Sequence, residues 1–194
     1  MCKMLIPILF LTFILAAELE IGSSMPGKGH KLKDISGKTM TLSDVKGNRG
    51  TLVIFSCNTC PWVIRWEDRY VSIADTYTSK GIGVIAVNSN ADRFDGDDSL
   101  EEMVKHAEKN DYNFPYAQDP SSQLAYEFGA TKTPHIYLFD NNDVLVYRGA
   151  IDDNATDARS VDEHFLVNAL DQLLAGKSIG KPTSKAIGCS IKFP

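Results

Sequence analysis

The chain has 194 residues, with 20 Lys or Arg against 25 Asp or Glu and a formal net charge of −5. That acidic balance gives no reason to expect nucleic-acid binding. No internal repeat, low-complexity tract or interdomain linker divides the chain, and its length suits one domain with a full core.

At the N-terminus Lys3 precedes an apolar segment from Met4 to Ala17, interrupted only by Pro7 and Thr12. It is too short to span a bilayer comfortably but suits a signal-peptide core, with the small pair Ala16-Ala17 as the cleavage region. Residues 1–17 are predicted to direct export to a periplasmic or secreted location and to take Cys2 with them. An uncleaved anchor is the alternative, and the sole membrane contact expected. Export places the remaining chain where disulfides persist. Its three cysteines, Cys57, Cys60 and Cys189, are an odd number, so at least one lacks an intramolecular partner at any time.

Lys31 to Ile35 and Thr39 to Leu42, joined at Ser36-Gly37, read as a small hairpin. Lys46 to Gly50 is a basic, Gly-rich loop without the spacing of a phosphate-binding loop. The run Leu52-Val53-Ile54-Phe55 reads as a buried strand. After it, Val63, Trp66, Tyr70, Ile73, Ala74 and Tyr77 share one face of a helix. Cys57-Asn58-Thr59-Cys60-Pro61 lies at that strand-to-helix junction, with proline suited to the first helical turn. Unpaired N–H groups and the helix dipole there favour a thiolate, and so a reactive dithiol.

Ile82 to Asn88 is a second apolar strand, expected to run parallel to the first through a right-handed crossover. The acidic stretch Asp92 to Asp98 lacks the ligand spacing of a calcium loop and reads as a polar loop. Ser99 and Glu102 match a capping box before an inserted helix, with His106 off its apolar stripe and expected to be exposed. Ile136 to Phe139 and Val144 to Tyr147 read as a hairpin, followed by a final helix carrying Phe165, Leu166, Ala169, Leu170, Leu173 and Leu174.

Strand, Cys-x-x-Cys-Pro and helix, together with Gly129-Ala130-Thr131-Lys132-Thr133-Pro134-His135 leading into a strand, resemble a thioredoxin-like active site. The similarity runs from about Leu19 to Gly176. It is greatest to the peroxiredoxin-like branch (redoxin, or alkyl hydroperoxide reductase/thiol-specific antioxidant). It implies an α/β thioredoxin fold: a mixed central sheet flanked by helices, with an N-terminal hairpin and an inserted helix. The expected division is residues 1–17 signal, 18–176 redoxin domain and 177–194 a tail carrying Cys189. The resemblance also implies that Thr133 and Pro134, a cis-proline in such proteins, dock the substrate. No cofactor is implied.

The expected activity is disulfide exchange with protein disulfides or dithiols and a redox partner. Cys57 is expected to be the more exposed attacking thiol, and Cys60 to resolve the mixed disulfide. Direction of exchange and oligomeric state stay open. A thiol peroxidase is the alternative enzyme. In peroxiredoxins the peroxidatic cysteine is accompanied by a threonine and an arginine. Here Cys60-Pro61 matches the cysteine, but Cys57 and Thr133-Pro134 stand in the other two places, leaving Arg65 as a substitute cation. His135 invites two readings, tuning the thiol pKa or joining Cys57 and Cys60 in a copper or zinc site, although no resident metal is expected. Thr51 occupies the position of thioredoxin's buried acid, so any equivalent acid comes from elsewhere. Cys189 is either an inert packed thiol or a third redox thiol brought back by the tail.

Overall fold

The computed structural model describes residues 17–194. The export signal expected over residues 1–17 lies outside them, apart from Ala17 at the edge. In chain order the elements are β1 (Leu32–Asp34), β2 (Thr39–Met40), α1 (Leu42–Val45), β3 (Gly50–Ser56), α2 (Pro61–Thr78), β4 (Ile82–Asn88) and α3 (Leu100–Lys109). There follow β5 (Tyr116–Gln118), α4 (Gln123–Phe128), β6 (Lys132–Thr133), β7 (His135–Asp140), β8 (Leu145–Gly149), α5 (Phe165–Leu174) and β9 (Cys189–Ser190). Seven strands form one mixed sheet in the order β2-β1-β5-β4-β3-β7-β8, and β6 with β9 forms a separate two-stranded ribbon. The central strands β3, β4 and β5 run parallel, and the remaining pairings are antiparallel.

Strand β3 is buried along its whole length because both sheet faces are covered. Leu52 and Ile54 face the layer of α2 and α5, packing with Trp66, Tyr70 and Leu170. Val53 and Phe55 face the opposite layer, where α4 supplies Leu124 and Phe128. Phe55 meets Phe128 and Tyr137 edge-on, with ring centroids 5.2 and 5.7 Å apart. Each face of the sheet therefore has its own core, and a residue's parity along a strand decides which core it enters.

The buried stripe of α2 contains all six predicted residues and one more, Glu67. That carboxylate explains a departure from expectation at His106. Rather than lying free in solvent, His106 is half-buried, its Nε2 2.8 Å from Glu67 Oε2 and its ring edge-on to Tyr112. A carboxylate at a helix–helix contact needs a polar partner, and α3 supplies one. Ser99 caps α3 by accepting the Glu102 N–H at 3.3 Å.

The tail after Gly176 packs onto the domain. Ser184 accepts the Ala150 N–H at 2.8 Å and shares a 2.7 Å hydrogen bond with the Tyr147 hydroxyl. Farther on, Ile191 is buried in the α4-side core, and Phe193 stacks on Tyr126 with centroids 4.4 Å apart.

Candidate active site

Beyond Ser56 the chain leaves β3 and turns through Cys57, Asn58 and Thr59 to Cys60, the N-cap of α2, with Pro61 in the first turn. Cys57 Sγ lies 3.3 Å from Thr133 Oγ1, and the Cys60 thiol donates to the Thr133 carbonyl at 3.0 Å. The Thr133–Pro134 peptide bond is cis. The dithiol and the predicted loop thus meet at one residue, Thr133, which touches both sulfurs. A cavity of about 190 Å³ opens beside them, lined also by Asn90, Asp98 and Cys189.

The two thiols are not distinguished in the way the sequence suggested. Cys57 is 2% exposed and Cys60 3%, so Cys57 is not the more accessible sulfur. Their electrostatics differ instead. The Cys57 thiol foremost, then the Cys189 thiol and the amides of Val63 and Cys189, hold the Cys60 pKa below the ordinary thiol value against the cost of burial. Cys57 is pushed up, first because it serves as donor to Cys60, then by burial and by the negative charge of Asp98; the Thr133 hydroxyl opposes this only in part. The neighbouring Cys57 thiol therefore does most to favour charge on Cys60, and the Val63 amide of the helix start adds to it. Cys60, rather than Cys57, is thus the sulfur that its neighbours favour as a thiolate.

Asp98 is the buried acid of this site, and it lies in the stretch read as a polar loop. Only 1% exposed, its Oδ1 accepts the Asn58 N–H at 2.9 Å and an Asn88 amide hydrogen at 2.8 Å, while Oδ2 accepts from the Asn90 amide at 2.9 Å. Asn58 is held further by Tyr116, whose hydroxyl donates to its Oδ1 at 2.9 Å. This network fixes the turn between the two cysteines. Polar residues at 88, 90 and 98 carried no motif, but two asparagines after an apolar strand are a signal of a polar network at that strand's end.

His135 does not join the thiols. Parity along β7 sends Ile136 into the core that contains Cys57 and Cys60, and His135 to the other face, against Tyr137 with centroids 4.6 Å apart. Its Nε2 lies 2.7 Å from Glu18 Oε1, out of line for a hydrogen bond, and Glu18 also pairs with Arg148. Burial disfavours the charged ring and pushes its pKa down to about 4. Among the described residues, no group of three His, Cys, Asp or Glu side chains is arranged to hold a metal ion. Arg65, the expected substitute cation, is exposed and lies over the Trp62 ring at 5.1 Å; Arg93 borders the thiol cavity instead.

The edge of Thr133, expected to dock substrate, is occupied by the chain's own tail. In the ribbon of β6 and β9, Thr133 pairs with Cys189 and Lys132 with Ser190. Gly188 permits this approach, since a Cβ there would run into the Thr133 carbonyl.

The model of the Redoxin family matches residues 20–165. A hypothetical protein from Sinorhizobium meliloti has a similar structure, with TM-score 0.83 and 32% identity over 92% of this chain and 97% of its own. An uncharacterised conserved protein from Geobacillus kaustophilus likewise has TM-score 0.83, with 35% identity over 90% of this chain and 93% of its own. A protein described as a thiol:disulfide interchange protein, DsbE, from Chlorobium tepidum shares the fold, with TM-score 0.63 and 22% identity over 81% of this chain and 99% of its own. No curated protein matches the chain. With its mixed sheet, flanking helices and dithiol at the α2 N-terminus, the chain belongs to the Redoxin family, as a redox enzyme of the thioredoxin fold.

Proposed function

We propose that this chain is an exported thiol–disulfide oxidoreductase working through Cys57 and Cys60. The observation that carries this is the convergence of both sulfurs on Thr133, at 3.3 and 3.0 Å, at the N-terminus of an 18-residue helix. Cys60 thiolate attacks one sulfur of a substrate disulfide, forming a mixed disulfide and releasing the other substrate sulfur as a thiolate that takes up a proton. Cys57 then loses its proton and attacks the Cys60 sulfur. The Cys57–Cys60 disulfide forms and the second substrate sulfur leaves. Two electrons and two protons pass from the dithiol to the substrate, and the reverse sequence oxidises a substrate dithiol. Export rests on the sequence of residues 1–17; among the described residues no helix is long and apolar enough to cross a membrane.

A specific observation favours a second reading, peroxide reduction at Cys60: Arg93 borders a cavity of about 190 Å³, small enough to suit a compact oxidant. In that case Cys60 becomes a sulfenic acid, the peroxide leaves as an alcohol or water, and Cys57 closes the disulfide with loss of water.

Insulin reduction and peroxide consumption, measured side by side on the mature protein, separate the two. Faster turnover of insulin, with Cys57→Ser trapping a mixed disulfide at Cys60, supports exchange. Rapid peroxide-dependent sulfenic acid at Cys60 with idle insulin reduction overturns it.

A further inference from the structure

We propose that Cys189 is a third redox thiol, which forms a disulfide with Cys60 and passes electrons between the buried dithiol and protein-sized partners. The proposal rests on the dithiol function above and adds the route into it.

The tail stands where a substrate would. Cys189 is the strand partner of Thr133, and Thr133 is the residue both active-site sulfurs touch. Cys60 and Cys189 also meet at the helix start, where the Val63 amide favours the Cys60 thiolate and the Trp62 amide that of Cys189. Cys57, Cys60 and Cys189 line one cavity. Cys60 is the member of this group whose thiolate is favoured by both of the other thiols.

Anchors on either side hold the tail in this register. The Ile191 N–H donates to the Thr131 carbonyl at 3.0 Å, and the Lys192 N–H donates to Asn90 Oδ1 at 2.9 Å. Asn90 is itself bonded to Asp98, so the network that fixes the Cys57–Cys60 turn also fixes the tail. Exposure supplies the reason for a third thiol. Cys57 and Cys60 are almost fully buried, whereas Cys189 is partly exposed. A protein-sized partner meets Cys189 before it can reach either of the other two.

The chemistry balances without an added oxidant or reductant. In the oxidised protein, deprotonated Cys189 attacks the Cys60 sulfur of the Cys57–Cys60 disulfide. The S–S bond to Cys57 breaks, and Cys57 takes up the proton that Cys189 lost. A partner protein dithiol then attacks the Cys189 sulfur, and Cys60 departs as the stabilised thiolate. The partner's second thiol attacks its own sulfur in the mixed disulfide and releases Cys189. Two electrons and two protons have moved from the partner dithiol to the enzyme, and oxidation of the enzyme's thiols against a partner disulfide is the reverse.

The test uses the full mature protein. Cys57→Ser, oxidised with diamide and mapped without reduction, is expected to yield a Cys60–Cys189 linked peptide in the monomer. A Cys189 that stays fully alkylatable in that variant overturns the proposal. In Cys189→Ser and Cys189→Ala proteins that fold by circular dichroism and still form the Cys57–Cys60 disulfide, reduction by reduced thioredoxin is expected to slow about tenfold or more. A rate equal to wild type in both overturns the relay. Absence of the Cys57–Cys60 disulfide in oxidised wild type would instead remove the dithiol function, and the Cys57→Ser map would still decide the Cys60–Cys189 pair.

Discussion

Thr133 and His135 flank the same proline, yet Thr133 contacts both active-site sulfurs and His135 contacts neither. Thr133 belongs to the ribbon with the tail; His135 begins the central-sheet strand β7 and turns to the opposite core. Adjacency in sequence placed both beside the dithiol, whereas the two-residue period of a strand admits only one. The site is therefore a property of one sheet face: Cys57, Cys60, Thr133, Asp98 and Cys189 lie at its edge, and the Glu18–His135–Arg148 group has no part in it.

The largest effect expected from breaking this arrangement is at Cys60. Cys60→Ser removes the sulfur proposed to attack and should lower disulfide exchange by about 10³-fold or more. The same assignment fixes a pH dependence. Because Cys60 is held below the ordinary thiol value and Cys57 above it, alkylation should begin at Cys60 as pH rises, well before Cys57 reacts. Mass mapping of iodoacetamide adducts across pH checks this, and first labelling at Cys57 would reverse the roles.

Next in size is Asp98→Asn. The carboxylate accepts from three N–H donors, and an amide would set its own N–H₂ against at least one of them. A loss of about 2–4 kcal/mol in chemical denaturation is expected. The variant also removes the negative charge that raises Cys57, so Cys57 should become more acidic while the fold weakens. A neutral effect on both would mean that the Asp98 network neither supports the turn nor biases the thiols.

Thr133→Val acts more gently. It deletes the hydroxyl 3.3 Å from Cys57 while keeping the carbonyl that bonds Cys60. One hydrogen bond is worth about 1 kcal/mol net. The hydroxyl favours the Cys57 thiolate, so the variant should resolve mixed disulfides a few-fold more slowly, by about the same energy. Single-turnover kinetics of mixed-disulfide decay read this directly, and unchanged decay would make the contact incidental.

What could be read from sequence follows from range. The helices, the parallel pair β3 and β4 and the Cys-x-x-Cys at a helix start are local patterns, and all appear in place. Asp98 was missed because its partners, Asn58, Asn88 and Asn90, gather through tertiary packing with no fixed spacing. The pairing of Cys189 with Thr133 spans 56 positions, and no periodicity in the tail announces it. The order of acidity in the dithiol depends first on which thiol donates to the other, a detail finer than helix position. His135 is different: the alternation of Ile136, Tyr137, Leu138 and Phe139 was visible, and extending it one residue back assigns the ring to the far face.

That assignment gives the smallest effect expected on the dithiol and the prediction that bears most directly on the comparison. His135→Gln keeps a polar side chain but loses the ring packed on Tyr137 and the neighbour of Glu18. Stability should fall by about 1–2 kcal/mol, as for other losses of buried aromatic contact. The dithiol should not register it. The ring lies on the other face of the sheet from the sulfurs and is not among the groups that chiefly act on Cys57 or Cys60. The Cys57–Cys60 reduction potential should therefore move by less than about 10 mV, which is below about 0.5 kcal/mol for a two-electron couple. Equilibration of wild type and variant against a glutathione buffer measures the shift, and denaturation measures the cost to the fold. A fold weakened at an unchanged potential places His135 in the far core alone. A displaced potential with an intact fold would bring the imidazole back into the chemistry of the thiols.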